Sequence, residues 1–169
     1  MAKSFSQKHI KSIVYGGLDG IITTFAVVSG VIGAQLNPSI ILILGFANLI
    51  ADGISMAVGD YLSTKAEQEQ RNRKSKVALL NGLTTFGSFV IFGFVPLAFF
   101  LLAQFFPVFE NFMFVGSIVL TGVTLVVLGF LKAKVVNVST FRSSMETLIV
   151  GGLAAGAAYL IGWGISGLV

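Results

Sequence analysis

The stretch Gly45-Phe46-Ala47-Asn48-Leu49-Ile50-Ala51-Asp52-Gly53-Ile54-Ser55-Met56-Ala57-Val58-Gly59-Asp60 lies inside an apolar run, 39–64, and carries two carboxylates within it. A helix needs about 20 mostly apolar residues to cross a bilayer, and this run exceeds that. Outward from it, four more segments qualify: 12–35, 77–103, 111–131 and 146–168. The first of these holds a third aspartate, Asp19. An ionised carboxylate at mid-membrane costs roughly 2.5–3.5 kcal/mol on insertion scales. Asp19, Asp52 and Asp60 are therefore expected to face a partner, a water-filled path or a bound cation. The chain reads as a membrane protein that handles a positively charged species.

Composition supports the bilayer. The 169 residues are only 11% charged, against roughly 25% in soluble domains, and the mean hydropathy is +0.93. The expected fold is all-α: one integral membrane domain over 1–169 with five transmembrane helices and no separate soluble domain. The net charge of +4 does not point to nucleic acid, because the basic residues fall in three clusters. These are Lys3, Lys8 and Lys11, then Lys65, Arg71, Arg73, Lys74 and Lys76, then Lys132, Lys134 and Arg142. The connections 35–39 and 104–110 hold none. Five spans bring all three clusters to one side, which the positive-inside rule makes cytoplasmic. The N-terminus is then cytoplasmic and the C-terminus outside. The apolar run behind the basic N-terminus is too long for a signal peptide and lacks a small-residue cleavage site, so it is expected to stay as the first helix. No cysteine is present, and no phosphate loop, Ser-His-Asp or His-Glu-x-x-His pattern occurs. An enzyme is not expected.

Local signals set the connections. Asn37-Pro38 marks a tight turn with Pro38 near the start of the second helix. That helix is expected to run past the membrane through Lys65-Ala66-Glu67-Gln68-Glu69-Gln70, which has neither Gly nor Pro. Residues 1–11 suit a short amphipathic turn at the interface. Gly152 and Gly156 suggest a small-residue packing face on the last helix. Leu18-Asp19-Gly20-Ile21 echoes Ala51-Asp52-Gly53-Ile54, either by chance or as an ancestral repeat.

Asn48, Asp52, Met56 and Asp60 recur every four residues, a stripe roughly 120° wide on a helix. Asp19 enters from the neighbouring helix, and counting inward from the basic ends places it near the depth of Met56. Each residue has a plainer reading. Met56 also suits ordinary packing, Asn48 suits interhelical bonding, and Asp60 near the membrane edge suits solvation or a basic partner. Asp19 and Asp52 have no Lys or Arg within the spans to neutralise them, although burial favours their protonation, which is itself a proton-carrying role. Carboxylates select hard or borderline divalent ions, and a thioether widens the range. The only histidine, His9, lies outside the spans, and Met56 has no methionine neighbour. Fe²⁺ or Mn²⁺ fits this set better than Zn²⁺ or copper.

At these residues the chain resembles the vacuolar iron transporter family. Matching stretches are Asp19 to Ala26, Gly45 to Gly59, Tyr61 to Glu67, and Leu148 to Ala155. The resemblance implies a five-helix protomer that forms a homodimer, with an ion path between the subunits along the first two helices. It implies export of Fe²⁺, often also Mn²⁺, from the cytoplasm in exchange for protons. Asp19 matches the family's pathway aspartate and Met56 its methionine. Plant members carry a glutamate at the position of Asn48 and a small residue at that of Asp52. Many members also insert a Glu/Met-rich cytoplasmic helical domain between helices two and three, where this chain has only Glu67 and Glu69; a nodulin-like branch lacks that domain too.

The sequence therefore leads to a proton-coupled divalent-metal transporter, with Asp19, Asn48, Asp52 and Met56 on the path and Asp60 at its inner mouth. Its partners are metal ions, protons, the lipid bilayer and a second copy, with no permanently bound cofactor. It belongs in the cell membrane of a prokaryote or a vacuolar-type membrane of a eukaryote. Two other readings stay open: a membrane interaction protein whose aspartates only secure packing, and a passive cation pathway.

Overall fold

The computed structural model describes residues 2–70 and 77–168, with side chains from Ile10 onward. Five helical stretches are long and apolar enough to cross a membrane: Ile10–Gly33, Pro38–Gln70, Val77–Phe105, Pro107–Val136 and Thr140–Ser166. They derive from six α-helices, α1 (Ala2–Gly33), α2 (Pro38–Gln70), α3 (Val77–Gly93), α4 (Ala98–Phe105), α5 (Met113–Val136) and α6 (Thr140–Ser166). Arg71, Arg73, Lys74 and Lys76, expected to mark the basic side, lie outside the described residues, as do the side chains of Lys3, Lys8 and His9.

The three prolines of the chain punctuate it. Pro38 opens α2, and Asn37 accepts a bond from the Ser39 amide at 2.9 Å, which caps the helix start. The preceding turn passes through Gln35 at φ 56°. Pro96 lies in a 3₁₀ turn, Val95–Leu97, that divides the third span into α3 and α4, where the sequence predicts one continuous helix, 77–103. Proline supplies no amide proton and crowds the preceding turn, which ends α3, and the Ser117 hydroxyl of α5 donates to the Pro96 carbonyl at 2.7 Å. Pro107 opens a second 3₁₀ segment, Pro107–Phe112. At the far end of α5, Asn137 takes a left-handed conformation at φ 56° and closes the helix. Helices α5 and α6 both extend further toward that connection than the apolar runs 111–131 and 146–168, because Lys132, Lys134 and Arg142 remain helical. The N-terminal residues likewise continue α1 from Ala2 rather than forming a separate turn.

Helix α1 is the hub, packing against α2, α3, α5 and α6. Glycines set these approaches. A Cβ at Gly16 would stand 2.6 Å from the Thr85 carbonyl, and one at Gly82 2.7 Å from that of Ala57. Gly20 abuts the Phe89 backbone, Gly33 that of Tyr159, and Gly162 that of Gly30. Around these contacts lie an apolar cluster of Val28, Val31, Ile41, Leu97 and Phe100 and another of Ile21, Leu125 and Leu128.

On α6 the packing stripe is Ser143, Thr147, Gly151 and Ala155, not Gly152 and Gly156, where an added Cβ meets open space. The expected small-residue face is thus turned by one residue, about 100°. Replacing Gly33 with Val forces α1 and α6 apart, an overpacking cost of typically 1–3 kcal/mol. It is expected to lower the thermal midpoint of the detergent-solubilised protein by several degrees, whereas Gly152→Val leaves it unchanged; equal midpoints for the two variants would contradict this packing.

Candidate functional site

The register of α1 against α2 is set by polar contacts near the basic end. The Ser12 hydroxyl on α1 donates to Asp60 Oδ2 on α2 at 2.8 Å. Since the two helices run in opposite directions, seven residues further along α1 correspond to seven fewer on α2. Asp19 is thereby level with Asp52 and Gly53, about one turn deeper than the Met56 level given by counting. A further observation agrees: Gly20 and Gly53 both pack against Phe89 of α3. The two Asp-Gly pairs thus share a purpose: each glycine lets α3 approach, and the aspartate before it lies about 100° around its helix.

Asp19 and Met56 line one cavity of about 580 Å³ between α1, α2 and α5, together with Lys11, Tyr15 and Lys132. Lys132 is held at 3.0 Å by Glu146. Among the described residues, neither Asp19 nor Asp52 is paired with a Lys or Arg. Asp52 and Asn48 lie further along the same stripe of α2, both half-buried. The Asn48 side-chain nitrogen is buried with no hydrogen-bond partner. Among the described residues, no three acidic, His or Cys side chains converge as a metal would require.

Asp60 stands in a second cavity of about 460 Å³ that Lys11, Met56 and Glu67 also line. Its Oδ2 accepts from Ser12 and from Thr85 of α3 at 2.5 Å, and its Oδ1 accepts from Thr64 at 3.3 Å. The Asn81 amide of α3 donates to Thr64 Oγ1 at 3.3 Å. One carboxylate thus ties three helices together at the basic end. The sequence reading named Asp60 and missed Ser12, Thr64, Asn81 and Thr85. The available signal was spacing: 60 and 64 on α2, and 81 and 85 on α3, are each one helical turn apart.

A bundle of apolar helices with carboxylates at depth defines a multi-pass integral membrane protein. The sequence profile of the VIT family matches residues 10–78 and 70–163, and the chain belongs to that family. The two matched parts meet at the connection between α2 and α3. The vacuolar iron transporter of Toxoplasma gondii is 50% identical over 64 residues, covering 38% of this chain and 21% of that protein. That of Plasmodium falciparum is 42% identical over 66 residues, 39% of this chain and 24% of that protein. The chain therefore matches about a quarter or less of the length of these relatives. Vacuolar iron transporter 1 of Tulipa gesneriana is 25% identical over a 212-position alignment that covers 89% of this chain and 84% of the relative. Because that alignment is longer than this chain, the tulip protein carries residues that have no counterpart here.

Hydrogen bonds to a charged acceptor contribute about 1.5–3 kcal/mol each. Ser12→Ala is expected to lower the stability of the purified protein by about that amount in detergent denaturation. Ser63→Ala, whose hydroxyl bonds only the Asp60 carbonyl of its own helix, is expected to leave it within about 0.5 kcal/mol. A silent Ser12→Ala would remove the clamp role given to Asp60.

Proposed function

We propose that this chain is a divalent-metal transporter that moves Fe²⁺ or Mn²⁺ out of the cytoplasm in exchange for protons. It works as a homodimer of single five-helix domains, with the basic end cytoplasmic and the path between the α1 and α2 pairs of the two copies. Asp19, Asp52 and Met56 bind the passing ion, Asn48 supplies a neutral oxygen, and Asp60 stands at the entrance. The observation that carries this reading is the juxtaposition of Asp19 and Asp52 at one level, without a basic partner, and with Met56 one turn away.

Two features favour a second copy. The outward face of α2 holds Ala47, Ala51, Ser55, Gly59 and Ser63, all exposed, one turn apart and small enough for close helix contact. Helix α6 is also largely exposed, but its outward residues, such as Leu153, Leu160 and Ile161, are apolar and at home in lipid. A face of α2 beside Asn48 and Asp52 is not, since polar groups in hydrocarbon need partners. Two copies would double a ligand set that one protomer leaves short, and the orphaned Asn48 nitrogen would lie near that seam. Proton coupling follows from ligand chemistry: protonating a carboxylate removes its charge and weakens its hold on the metal.

The relatives' printed names, vacuolar iron transporters, support iron as cargo. Reconstituted in proteoliposomes, the protein is expected to take up Fe²⁺ or Mn²⁺ faster under a pH gradient. Asp19→Asn and Asp52→Asn should each lower uptake at least about ten-fold, since even groups behind the ligands count for that much. Full uptake in both variants defeats the assignment. Uptake indifferent to the gradient indicates a passive pathway, and loss of folding without loss of flux per folded protein indicates a packing role.

A further inference from the structure

The cavity beside Asp19 contains a cation of the chain's own. Lys132 of α5 lines it, and among the described lining residues Asp19 is the one carboxylate. The Lys132 ammonium is nevertheless bound elsewhere. It meets Glu146 of α6 at 3.0 Å, and Glu146 does not line the cavity.

Depth brings this pair close to the Asp19 level. Helices α1 and α5 run in opposite directions, and Ile21 packs with Leu125 and Leu128, with Leu18 and Ile22 beside them. Thr147 of α6 donates to the Leu125 carbonyl at 3.0 Å, so Glu146 next to it shares the depth of that cluster. Side chains tilt toward the N-terminus of their helix. On α5 that direction leads from Lys132 deeper, toward Leu128. On α1 it leads from Asp19 toward Leu18 and the basic end. The two charged groups therefore lean toward each other across one cavity. The other nearby lysines do not compete for this place. Lys11 is eight residues from Asp19 on the same helix, about 12 Å along the axis and beyond a lysine's reach. Lys134 lies over the Phe130 ring, 4.3 Å from its centre, and is not among the lining residues.

We propose that Glu146 is a positioning residue for the metal path: it holds Lys132 at the cavity wall and so leaves the Asp19 carboxylate open to a divalent ion. The inference rests on the transport reading. Without Glu146, the carboxylate left to Lys132 in this cavity is Asp19. An ammonium there fills the place of cargo and cancels the charge that attracts it. It acts as a tethered competitor, which lowers the fraction of protein competent to bind and weakens apparent affinity by that fraction. The Lys132 and Glu146 side chains are 29% and 60% exposed, and a pair so exposed adds little to stability. Its removal is expected to leave the fold intact.

Mn²⁺ uptake into proteoliposomes tests this, with Glu146→Gln, Glu146→Asp and the double variant Glu146→Gln/Lys132→Gln beside the wild type. If Lys132 occupies Asp19 for about nine-tenths of the time in Glu146→Gln, KM rises about ten-fold while the maximal rate is retained. Glu146→Asp keeps the tether and the wild-type KM, and the double variant restores it. An unchanged KM in Glu146→Gln overturns the proposal. So does a rise that persists in the double variant, because loss of the Glu146 charge alone then accounts for it. A zero-length carbodiimide cross-link on the purified full chain, read by mass spectrometry, gives a measure that does not depend on transport. It is expected to join Lys132 to Glu146 in the wild type and to Asp19 in Glu146→Gln, and absence of the second link overturns the inference. A wild-type protein that carries no metal defeats the transport reading alone, and the cross-link then decides whether Glu146 keeps Lys132 from Asp19.

Discussion

A carboxylate placed among apolar helices must be compensated inside the protein, and the way each aspartate meets that demand organises this bundle. Asp60 meets it with hydroxyls from α1, α2 and α3. Those bonds fix the register of α1 against α2, which in turn brings Asp19 level with Asp52. The same compensation is missing one level deeper. There Asp19 and Asp52 stand at one level, and among the described residues neither forms a salt bridge or accepts a side-chain hydrogen bond, although Lys11, Tyr15 and Lys132 line the cavity beside Asp19. One protomer thus contains a satisfied acidic site and an unsatisfied one on the same helix face, two turns apart.

Close backbone approach makes this geometry available. Gly16, Gly20 and Gly82 allow α1, α2 and α3 to touch without side chains between them, so short hydroxyl side chains can reach a carboxylate on another helix. Larger residues at those positions would hold the helices apart, and Ser12 and Thr85 would fall short of Asp60. Glycine is costly in a soluble helix because it frees the unfolded backbone. In a bilayer the spans stay helical even when apart, so that cost is small and close contact dominates. The central place of α1 follows, with glycines facing α3 and others, Gly30 and Gly33, facing α6.

The five spans were readable because hydropathy and length act on whole segments, and the prolines at 38 and 107 fall where apolar runs end. Other features depended on single residues. Pro96 lies within an unbroken apolar run, so composition hid the break between α3 and α4. Lys132 and Lys134 interrupt hydropathy without interrupting the helix, so α5 continued past the expected end. The α6 packing face was misread by one position because Gly151 and Gly152 are alike in composition and differ only in direction. Asn81 and Thr85 carry no charge and little weight in a hydropathy average, yet they supply the contacts that make Asp60 structural. The Asp19 level needed a measured interhelical bond, since counting from the membrane edge assumes that both helices enter at the same height.

Resemblance to plant members placed a glutamate at the position of Asn48 and a small residue at Asp52. Moving a carboxylate from 48 to 52 displaces it by one turn, about 6 Å along the axis and about 40° around it. In this chain that displacement brings it beside Asp19, whereas a glutamate at 48 would stand one turn away from the Asp19 level. In the proposed dimer the acidic groups then gather in one layer of four rather than two staggered pairs. A single layer concentrates negative charge over a short depth, which strengthens a doubly charged ion's hold and favours hard ligands over the thioether of Met56. In the proposed dimer, the one-turn position of a single carboxylate would thus set how tightly the path holds a divalent ion.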